Sequence, residues 1–215
     1  MSELELVIGN KNYSSWSLRP WIAMTQAGIP FTETVIPFDF ANGNMEIRKV
    51  SPSAKVPLLK AGDLLVWESL AILEYIAERF PEAGLWPAEA GARARARSVS
   101  TEMASGFSAL RAECPMNMRR TPSSIAMSEA AQADVARIVD IWRDCLSRSG
   151  GPFLFGSFSI ADAMYAPVVS RFETYQLTGN LDALAYMARV TALPAWKAWR
   201  QAGDAEPWVV AASEI

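Results

Sequence analysis

Three neighbouring hydroxyl groups, those of Tyr13, Ser14 and Ser15, are side chains whose type and position could support chemistry. They lie where a predicted strand ends and a predicted helix begins, and the amino end of a helix carries a partial positive charge. A hydroxyl donor beside that charge stabilises an anion. Serine is also a preferred helix N-cap, so the segment predicts either an anion site or a simple cap.

Two further segments could bind a ligand. Pro57 falls at the start of a predicted strand, where it is either a strand-edge residue or part of a cis peptide bond. Glu68 and Ser69 begin a predicted helix, whose N–H groups and hydroxyl could hold a carboxylate while Glu68 pairs with an ammonium group. Such a site suits the head group of an α-amino acid. The alternative is that Ser69 caps the helix and Glu68 is a favourable first-turn acid.

Histidine is absent from the sequence. This excludes histidine-based nucleophilic triads, histidine general bases and most catalytic zinc sites. The two cysteines, Cys114 and Cys145, are too few and too far apart for a metal-ligand pattern or a disulfide framework. We therefore expect reduced structural thiols and no metal.

Composition narrows the class of protein further. The chain has 215 residues, of which 51% are hydrophobic and 20% charged, as in ordinary globular domains. The formal charge of −3 provides no basic field for nucleic acid or for an anionic membrane surface. The amino terminus has acids where a signal peptide would be basic, and no apolar run reaches the roughly 18 residues of a membrane span. We expect a cytoplasmic protein.

Hydrophobic periodicity predicts the elements that position these segments. In chain order they are strand 3–9, helix 18–27, strand 32–38, strand 56–60, strand 64–67 and helix 69–80. This βαβ-ββα order is that of a thioredoxin-like domain, which has a four-stranded mixed sheet with a parallel first unit and an antiparallel final hairpin.

The second half of the chain has only helical patterns. They span about 92–113, 128–148, 159–175 and 192–202. We therefore predict an α/β domain over residues 1–82, a linker over 83–91 and an all-helical domain over 92–215.

One face of the first long helix of this domain could line a pocket. Its residues, spaced i, i+4, i+7 and i+8, with one methionine from the break that follows, are Met103, Phe107, Leu110, Arg111 and Met116. An apolar stripe is also what any packed helix shows, so ordinary interdomain core is the alternative. Arg111 and Arg119 could favour an anionic substrate or could simply be solvated.

At this point the motifs, in this order and spacing, resemble the glutathione S-transferase family over essentially the whole chain. YSSWSLR is similar to the serine-type active-site segment, SAKVPLL to the cis-proline loop, and ESLAILEYIAERFPEAGLWP to the γ-glutamyl-binding helix and linker. FSIAD resembles the family's buried capping box, with Ser159 at the cap and Asp162 three residues later. The serine-type segment is most similar to that of the zeta class.

The resemblance implies a role for each candidate residue. Ser14 would donate a hydrogen bond to the glutathione thiolate, with Ser15 as its neighbour and Tyr13 as the competing candidate. The residues implied to bind the rest of glutathione are Lys55 at the glycine carboxylate, Val56 and Pro57 at the cysteinyl unit, Glu68 and Ser69 at the γ-glutamyl head, Asn42 from a loop, and Arg19 as a brace.

The resemblance also implies the activity. It is that of a glutathione transferase that activates the thiol for attack on a small apolar or aromatic electrophile, typically in detoxification and as a homodimer. A glutathione-dependent isomerase similar to maleylacetoacetate isomerase is one alternative, although Trp16 stands where the zeta pattern has cysteine. A peroxidase-like side reaction and a non-catalytic interaction module are the others.

Overall fold

The computed structural model of the protein describes residues 3–215. Its first part contains four strands and three helices. They are β1 (Leu4–Ile8), α1 (Ser15–Gln26), β2 (Thr32–Val35), α2 (Met45–Val50), β3 (Leu58–Ala61), β4 (Leu64–Trp67) and α3 (Ser69–Arg79).

The strands form one mixed sheet in the order β2-β1-β3-β4. β1 pairs with β2 in parallel and with β3 in antiparallel register, and β3 pairs with β4 as an antiparallel hairpin. This confirms the predicted thioredoxin-like arrangement. The short helix α2 was not predicted; it begins after Asn44, which adopts a left-handed backbone conformation at φ 54°.

The second part of the chain is helical, as predicted. Its helices are α4 (Ala90–Ser105), α5 (Ser108–Glu113), α6 (Glu129–Ser149), α7 (Ile160–Tyr175), α8 (Leu181–Ala192) and α9 (Pro194–Ala205). None of the helices within residues 3–215 is long and apolar enough to cross a membrane.

The single helix predicted over 92–113 is in fact two helices. α4 ends at Ser105, and Phe107 takes a left-handed conformation at φ 57° before α5 begins. A Cβ at Gly106 would lie 2.7 Å from the Glu102 carbonyl oxygen, so only glycine fits this close turn. Met103 and Leu110 therefore do not share one continuous helical face.

Helix α7 is the centre of the helical domain. All of its residues except Glu173 are buried, and it packs against α1 of the first domain and against α4. Trp142 of α6 contacts three aromatic rings of this core, those of Tyr165, Phe172 and Tyr186. Apolar residues of α1 and α7 lie in one hydrophobic cluster, which joins the two domains, and the buried Arg19 side chain crosses the same contact.

The start of α7 is fixed by one buried carboxylate. Asp162 accepts hydrogen bonds from the N–H of Ser159 at 2.9 Å, from the Ser159 hydroxyl at 3.0 Å, from the N–H of Leu154 and from the Tyr186 hydroxyl. Burial raises the pKa of Asp162 to about 6, and these hydrogen bonds partly oppose the rise.

Candidate active site

A cleft of about 140 Å³ lies on the first domain, between the loop before β3 and the first turns of α1 and α3. Its lining brings together five residues that the sequence singled out and two that it did not. The former are Lys55, Val56, Pro57, Glu68 and Ser69, and the latter are Trp16 and Ser53.

The β3 side of the cleft is formed by the loop before the strand. The Val56–Pro57 peptide bond is cis. Because β3 begins at Leu58, Val56 lies outside the hydrogen-bonded ladder of the sheet, and it lines the cleft. Lys55 beside it is exposed and has no carboxylate partner within residues 3–215.

The start of α3 forms the opposite wall. Glu68 adopts a positive φ of 67°, which turns the chain sharply into the helix. The Ser69 hydroxyl is not used as a helix cap, because it donates to the carbonyl oxygen of Trp16 at 2.7 Å. The Glu68 carboxylate is exposed and has no ion-pair partner in the described part of the chain. The free N–H groups of α3 and this carboxylate therefore face the cleft together.

Ser14 and Ser15 lie at the start of α1, beside Trp16 but not in the cleft lining. Ser14 is the N-cap residue, and its hydroxyl donates to the Ser17 hydroxyl oxygen at 2.7 Å. The Ser17 oxygen also accepts the N–H of Gly9 at 3.1 Å. The Ser15 hydroxyl has no protein partner among residues 3–215. Both serines are almost fully buried.

Tyr13 is directed away from the cleft. Its hydroxyl donates to the Glu214 carboxylate and accepts a hydrogen bond of 2.7 Å from Arg119. Arg119 also donates to the carbonyl oxygens of Glu206 and Trp208. Residues 206–214, which we call the C-terminal strap, therefore bind Tyr13 and Arg119 together.

The loop before α1 depends on this strap and on α9. The Glu206 carboxylate accepts the N–H of Lys11 at 2.6 Å and that of Asn12 at 3.0 Å. The Trp199 ring nitrogen donates to the Lys11 carbonyl oxygen at 2.9 Å. Burial raises the pKa of Glu206 above its ordinary value. The loop that delivers Ser14 is thus held by residues almost 200 positions away, a dependence that no local pattern reveals.

Arg19 lies behind the Trp16 ring. Its side chain is fully buried, donates to the carbonyl oxygens of Met164 and Ser15, and lies 4.0 Å from the centre of the Trp16 ring. Arg111 reaches the same ring from the helical domain, at 5.5 Å. Burial lowers the pKa of Arg19, and the nearby charges of Arg171 and Arg111 lower it further.

The other predicted pocket residues lie elsewhere. Met103, Phe107, Leu110 and Met116 are buried in the core between the helices, so that Arg111 is the member of the predicted set that reaches the cleft region. Asn42 lies in an exposed loop, where its backbone and side-chain N–H groups donate to Asp39.

The cysteines have no feature of a catalytic thiol. Cys114 and Cys145 are buried, and burial raises the pKa of each to about 11, which keeps both protonated. Across residues 3–215 there is no group of three cysteine or carboxylate side chains arranged to hold a metal ion.

Comparison with known proteins finds a matching family and several similar proteins. The N-terminal domain of glutathione S-transferases matches residues 13–79, and the C-terminal domain of the same family matches residues 126–202. A probable maleylacetoacetate isomerase from Caenorhabditis elegans is 25% identical over 187 residues, which cover 86% of each protein. The chloroplastic glutathione S-transferase L2 of Arabidopsis thaliana is 30% identical over 157 residues, 72% of this chain and 49% of the plant protein.

A solved structure shares the fold. The crystal structure of a glutathione transferase homologue from Burkholderia, with bound glutathione, superposes with a TM-score of 0.72 at 22% identity, over 93% of this chain and 97% of that one. The predicted combination of a thioredoxin-like domain and a helical domain is thereby confirmed.

Proposed function

Because the chain belongs to the glutathione S-transferase family, we propose that it binds glutathione in this cleft and activates its thiol for attack on a small electrophile with an apolar or aromatic body. The observation that carries the proposal is the meeting of three features in one cleft: the Val56–Pro57 loop, the start of α3 at Glu68 and Ser69, and Trp16 in the first turn of α1.

The start of α3 suits the γ-glutamyl head of glutathione. The Glu68 carboxylate can pair with its ammonium group, and the free N–H groups of the helix can bind its carboxylate. The backbone of Val56 can bind the cysteinyl unit, and Lys55 can attract the glycine carboxylate. These roles account for the two exposed charges of the cleft.

The start of α1 suits a thiolate. A free thiol has a pKa of about 8.5, and a helix amino end with a hydroxyl donor lowers it. Hydroxyl groups can rotate, so the Ser14–Ser17 hydrogen bond can reverse. Ser17, which accepts from Gly9, would then donate to Ser14 and leave the Ser14 proton for the sulfur. We therefore assign the thiolate donor to Ser14, with Ser15 as the second candidate.

Tyr13 is the weakest of the three candidates. Its hydroxyl proton is directed to Glu214, and its oxygen accepts from Arg119. A donor role at the sulfur would require the hydrogen bond to Glu214 to break. We propose that Tyr13 anchors the C-terminal strap.

The experiment is calorimetric titration with glutathione, followed by turnover of chlorodinitrobenzene. We expect Ser14→Ala to lower kcat at least about tenfold and Glu68→Gln to weaken glutathione binding by about tenfold, because glutamine cannot form an ion pair with the ammonium group of the γ-glutamyl head. Tyr13→Phe should stay within about twofold in kcat. Ser98→Ala is the matched control, because the Ser98 hydroxyl bonds only the Ala94 carbonyl on an exposed helix face.

Two results would contradict the proposal in different ways. A wild-type protein that does not bind glutathione would indicate a non-catalytic interaction module. Equal turnover in Ser14→Ala, Ser15→Ala and Tyr13→Phe would refute the assignment of the donor but not the binding of glutathione.

An isomerase is the second candidate function, favoured by the relatives named maleylacetoacetate isomerase in Caenorhabditis elegans and Rattus norvegicus. An isomerase regenerates glutathione, whereas a transferase consumes it. Incubation with maleylacetoacetate and titration of the remaining thiol therefore separates the two. Trp16, in place of the zeta-class cysteine, weighs towards the transferase.

We also propose that the protein is a homodimer in the cytoplasm and acts in detoxification. Apolar side chains exposed on the first domain support an interface between two copies: Phe40, Met45, Leu64 and Trp67. Light scattering in solution measures the mass directly, and a monomer would contradict this part of the proposal.

A further inference from the structure

Three arginines, Arg19, Arg111 and Arg171, form a cluster beside the cleft. The guanidinium carbons of Arg19 and Arg111 lie 4.0 Å and 5.5 Å from the centre of the Trp16 ring. Arg171, on α7, is 5% exposed, and Arg19 is fully buried. The pKa of Arg171 is lowered to about 10, by burial first and by Arg111 next. The three positive charges are therefore close enough to repel one another.

The cluster has no counter-charge. Every hydrogen bond it makes within residues 3–215 goes to a neutral backbone carbonyl oxygen. The acceptors are Met164 and Ser15 for Arg19, Ala104 for Arg111, and Cys114 and Pro167 for Arg171. No carboxylate of the described chain lies within 4 Å of these guanidinium groups, and Nη2 of Arg19 is buried without a hydrogen-bond partner.

This arrangement is costly unless an anion completes it. A buried charge without a partner destabilises the folded state, and proteins normally pair such charges. Elsewhere in this chain arginines have carboxylate partners, for example Arg97 with Glu74 and Arg137 with Glu102. The missing negative charge of the cluster is therefore expected from a ligand.

Arg111 is the accessible member of the cluster. It is half-buried, whereas Arg19 is fully buried and Arg171 is 5% exposed, and it lies 5.5 Å from the centre of the Trp16 ring that lines the cleft. Arg119, the other arginine that the sequence suggested for an anion, is occupied by the C-terminal strap. An anion that enters over Trp16 would thus meet Arg111 first.

We propose that the electrophile of this enzyme carries a carboxylate, which Arg111 binds directly while Arg19 and Arg171 add their positive field. The proposal rests on the proposed glutathione transferase function. A carboxylate fits the planar fork of a guanidinium group, and the Trp16 ring offers an apolar surface for the body of the molecule. The two carboxylates of glutathione have their own groups at Lys55 and at the start of α3.

The test compares two electrophiles, chlorodinitrobenzoate and its methyl ester, which differ by the negative charge and by one methyl group. In both, the glutathione sulfur forms a bond to the ring carbon that bears chlorine, and the carbon–chlorine bond breaks. Chloride leaves with the electron pair, and the thiol proton goes to solvent. Release of the product is followed by absorbance for each electrophile.

The variants remove or preserve the charge at position 111. Arg111→Met keeps an apolar stem against Trp16, and we expect kcat/KM for the benzoate to fall at least about tenfold while that for the ester changes by less than about twofold. Arg111→Lys should retain part of the preference for the benzoate over the ester. Lysine keeps the positive charge but lacks the planar pair of donors of a guanidinium group. Arg143→Met, an exposed arginine paired with Asp182 on the helical domain, is the control for loss of one positive charge.

Binding gives a second readout that does not need turnover. Calorimetry with nitrobenzoate and with its methyl ester, in the presence of S-methylglutathione, should show tighter binding of the anion to the wild type and loss of this preference in Arg111→Met. Equal affinity of the wild type for the two probes, or equal losses of kcat/KM for both electrophiles in Arg111→Met, would overturn the proposal. Failure of the wild type to bind glutathione would instead overturn the proposed function.

Discussion

At the scale of single residues, Asp162 combines full burial with four hydrogen-bond donors and no cation. Its pKa of about 6 lies above the value of about 3.9 expected in the unfolded chain, so the folded state binds the proton more tightly. The stability that protonation adds is fully present below about pH 4 and is lost as the pH rises through about 6.

This predicts a pH-dependent effect of Asp162→Asn. The variant cannot gain a proton, and it turns one acceptor oxygen into a donor that faces Ser159, so it should be less stable by about 1–3 kcal/mol at neutral pH. The loss in free energy of unfolding, relative to the wild type, should be larger at about pH 4.5 than at about pH 7.5. Urea unfolding at the two pH values measures both free energies.

The exposed residue Asp140 on helix α6 provides the control. Asp140→Asn should have nearly the same free energy of unfolding as the wild type at both pH values. A deficit of Asp162→Asn that does not change with pH would show that the carboxyl group is ionised throughout this range.

Residues inside local motifs were predictable, and residues defined by tertiary contact were not. Val56, Pro57, Glu68 and Ser69 stand in short segments whose local chemistry already suggests a ligand, and all four line the cleft. Trp16 was missed as a lining residue, although an aromatic ring directly after two serines at a strand–helix boundary is a signal of its own.

At the scale of elements, the close approach of α9 to the loop before α1 depends on Gly203. A Cβ at this position would lie 3.2 Å from the backbone nitrogen of Asn12 and 3.3 Å from the carbonyl carbon of Lys11. The loop cannot easily move away, because Glu206 and Trp199 hold the same backbone.

We therefore expect Gly203→Ala to lower the melting temperature, although alanine favours a helix interior by about 1 kcal/mol over glycine. Gly91→Ala in α4 is the matched control. There the new Cβ would meet only the exposed carboxylate of Glu89, the N-cap of α4, which can shift by a few tenths of an ångström, so the melting temperature should change less than in Gly203→Ala. A Gly203→Ala protein that melts higher than the wild type would mean that the loop can yield after all.

Element boundaries show where sequence patterns lose their information. The sequence does not reveal the break at Gly106 and Phe107, because apolar residues keep their helical spacing in the sequence on both sides of it. The helix itself ends at Ser105 and a new one begins at Ser108. Helix α8 was missed even though Asn180 caps it by accepting the N–H of Ala183, a signal that the sequence contains. The sheet was predictable because each of its strands is short and bounded by turn residues.

At the scale of the whole molecule, the two domains share one core. Buried apolar residues of α1 and α7 belong to one hydrophobic cluster, and Arg19 of α1 donates to the Met164 carbonyl oxygen of α7 among them. The ion pair between Arg97 and Glu74 also crosses the boundary, but it is exposed, and exposed pairs contribute only about 0–1 kcal/mol. Apolar contact is therefore the main link between the domains.

This predicts that the domains unfold together. In native-state hydrogen exchange, the slowest amides of β1, such as Leu6, and those of α7, such as Val169, should report the same free energy of opening. Raising the salt concentration should not separate them, because the link is apolar. Amides of β1 that open at clearly lower free energy than those of α7 would show that the first domain unfolds by itself.

The C-terminal strap has a consequence for biosynthesis. The N–H group of Lys11 obtains its partner only after Glu206, 195 residues later, has left the ribosome. At translation rates of about 5–20 residues per second, that delay is about 10–40 s. During this interval the nascent chain carries its sheet and first helix without the contacts that hold the Ser14 loop. The loop that carries Ser14 is thus synthesised long before the contacts that hold it can form.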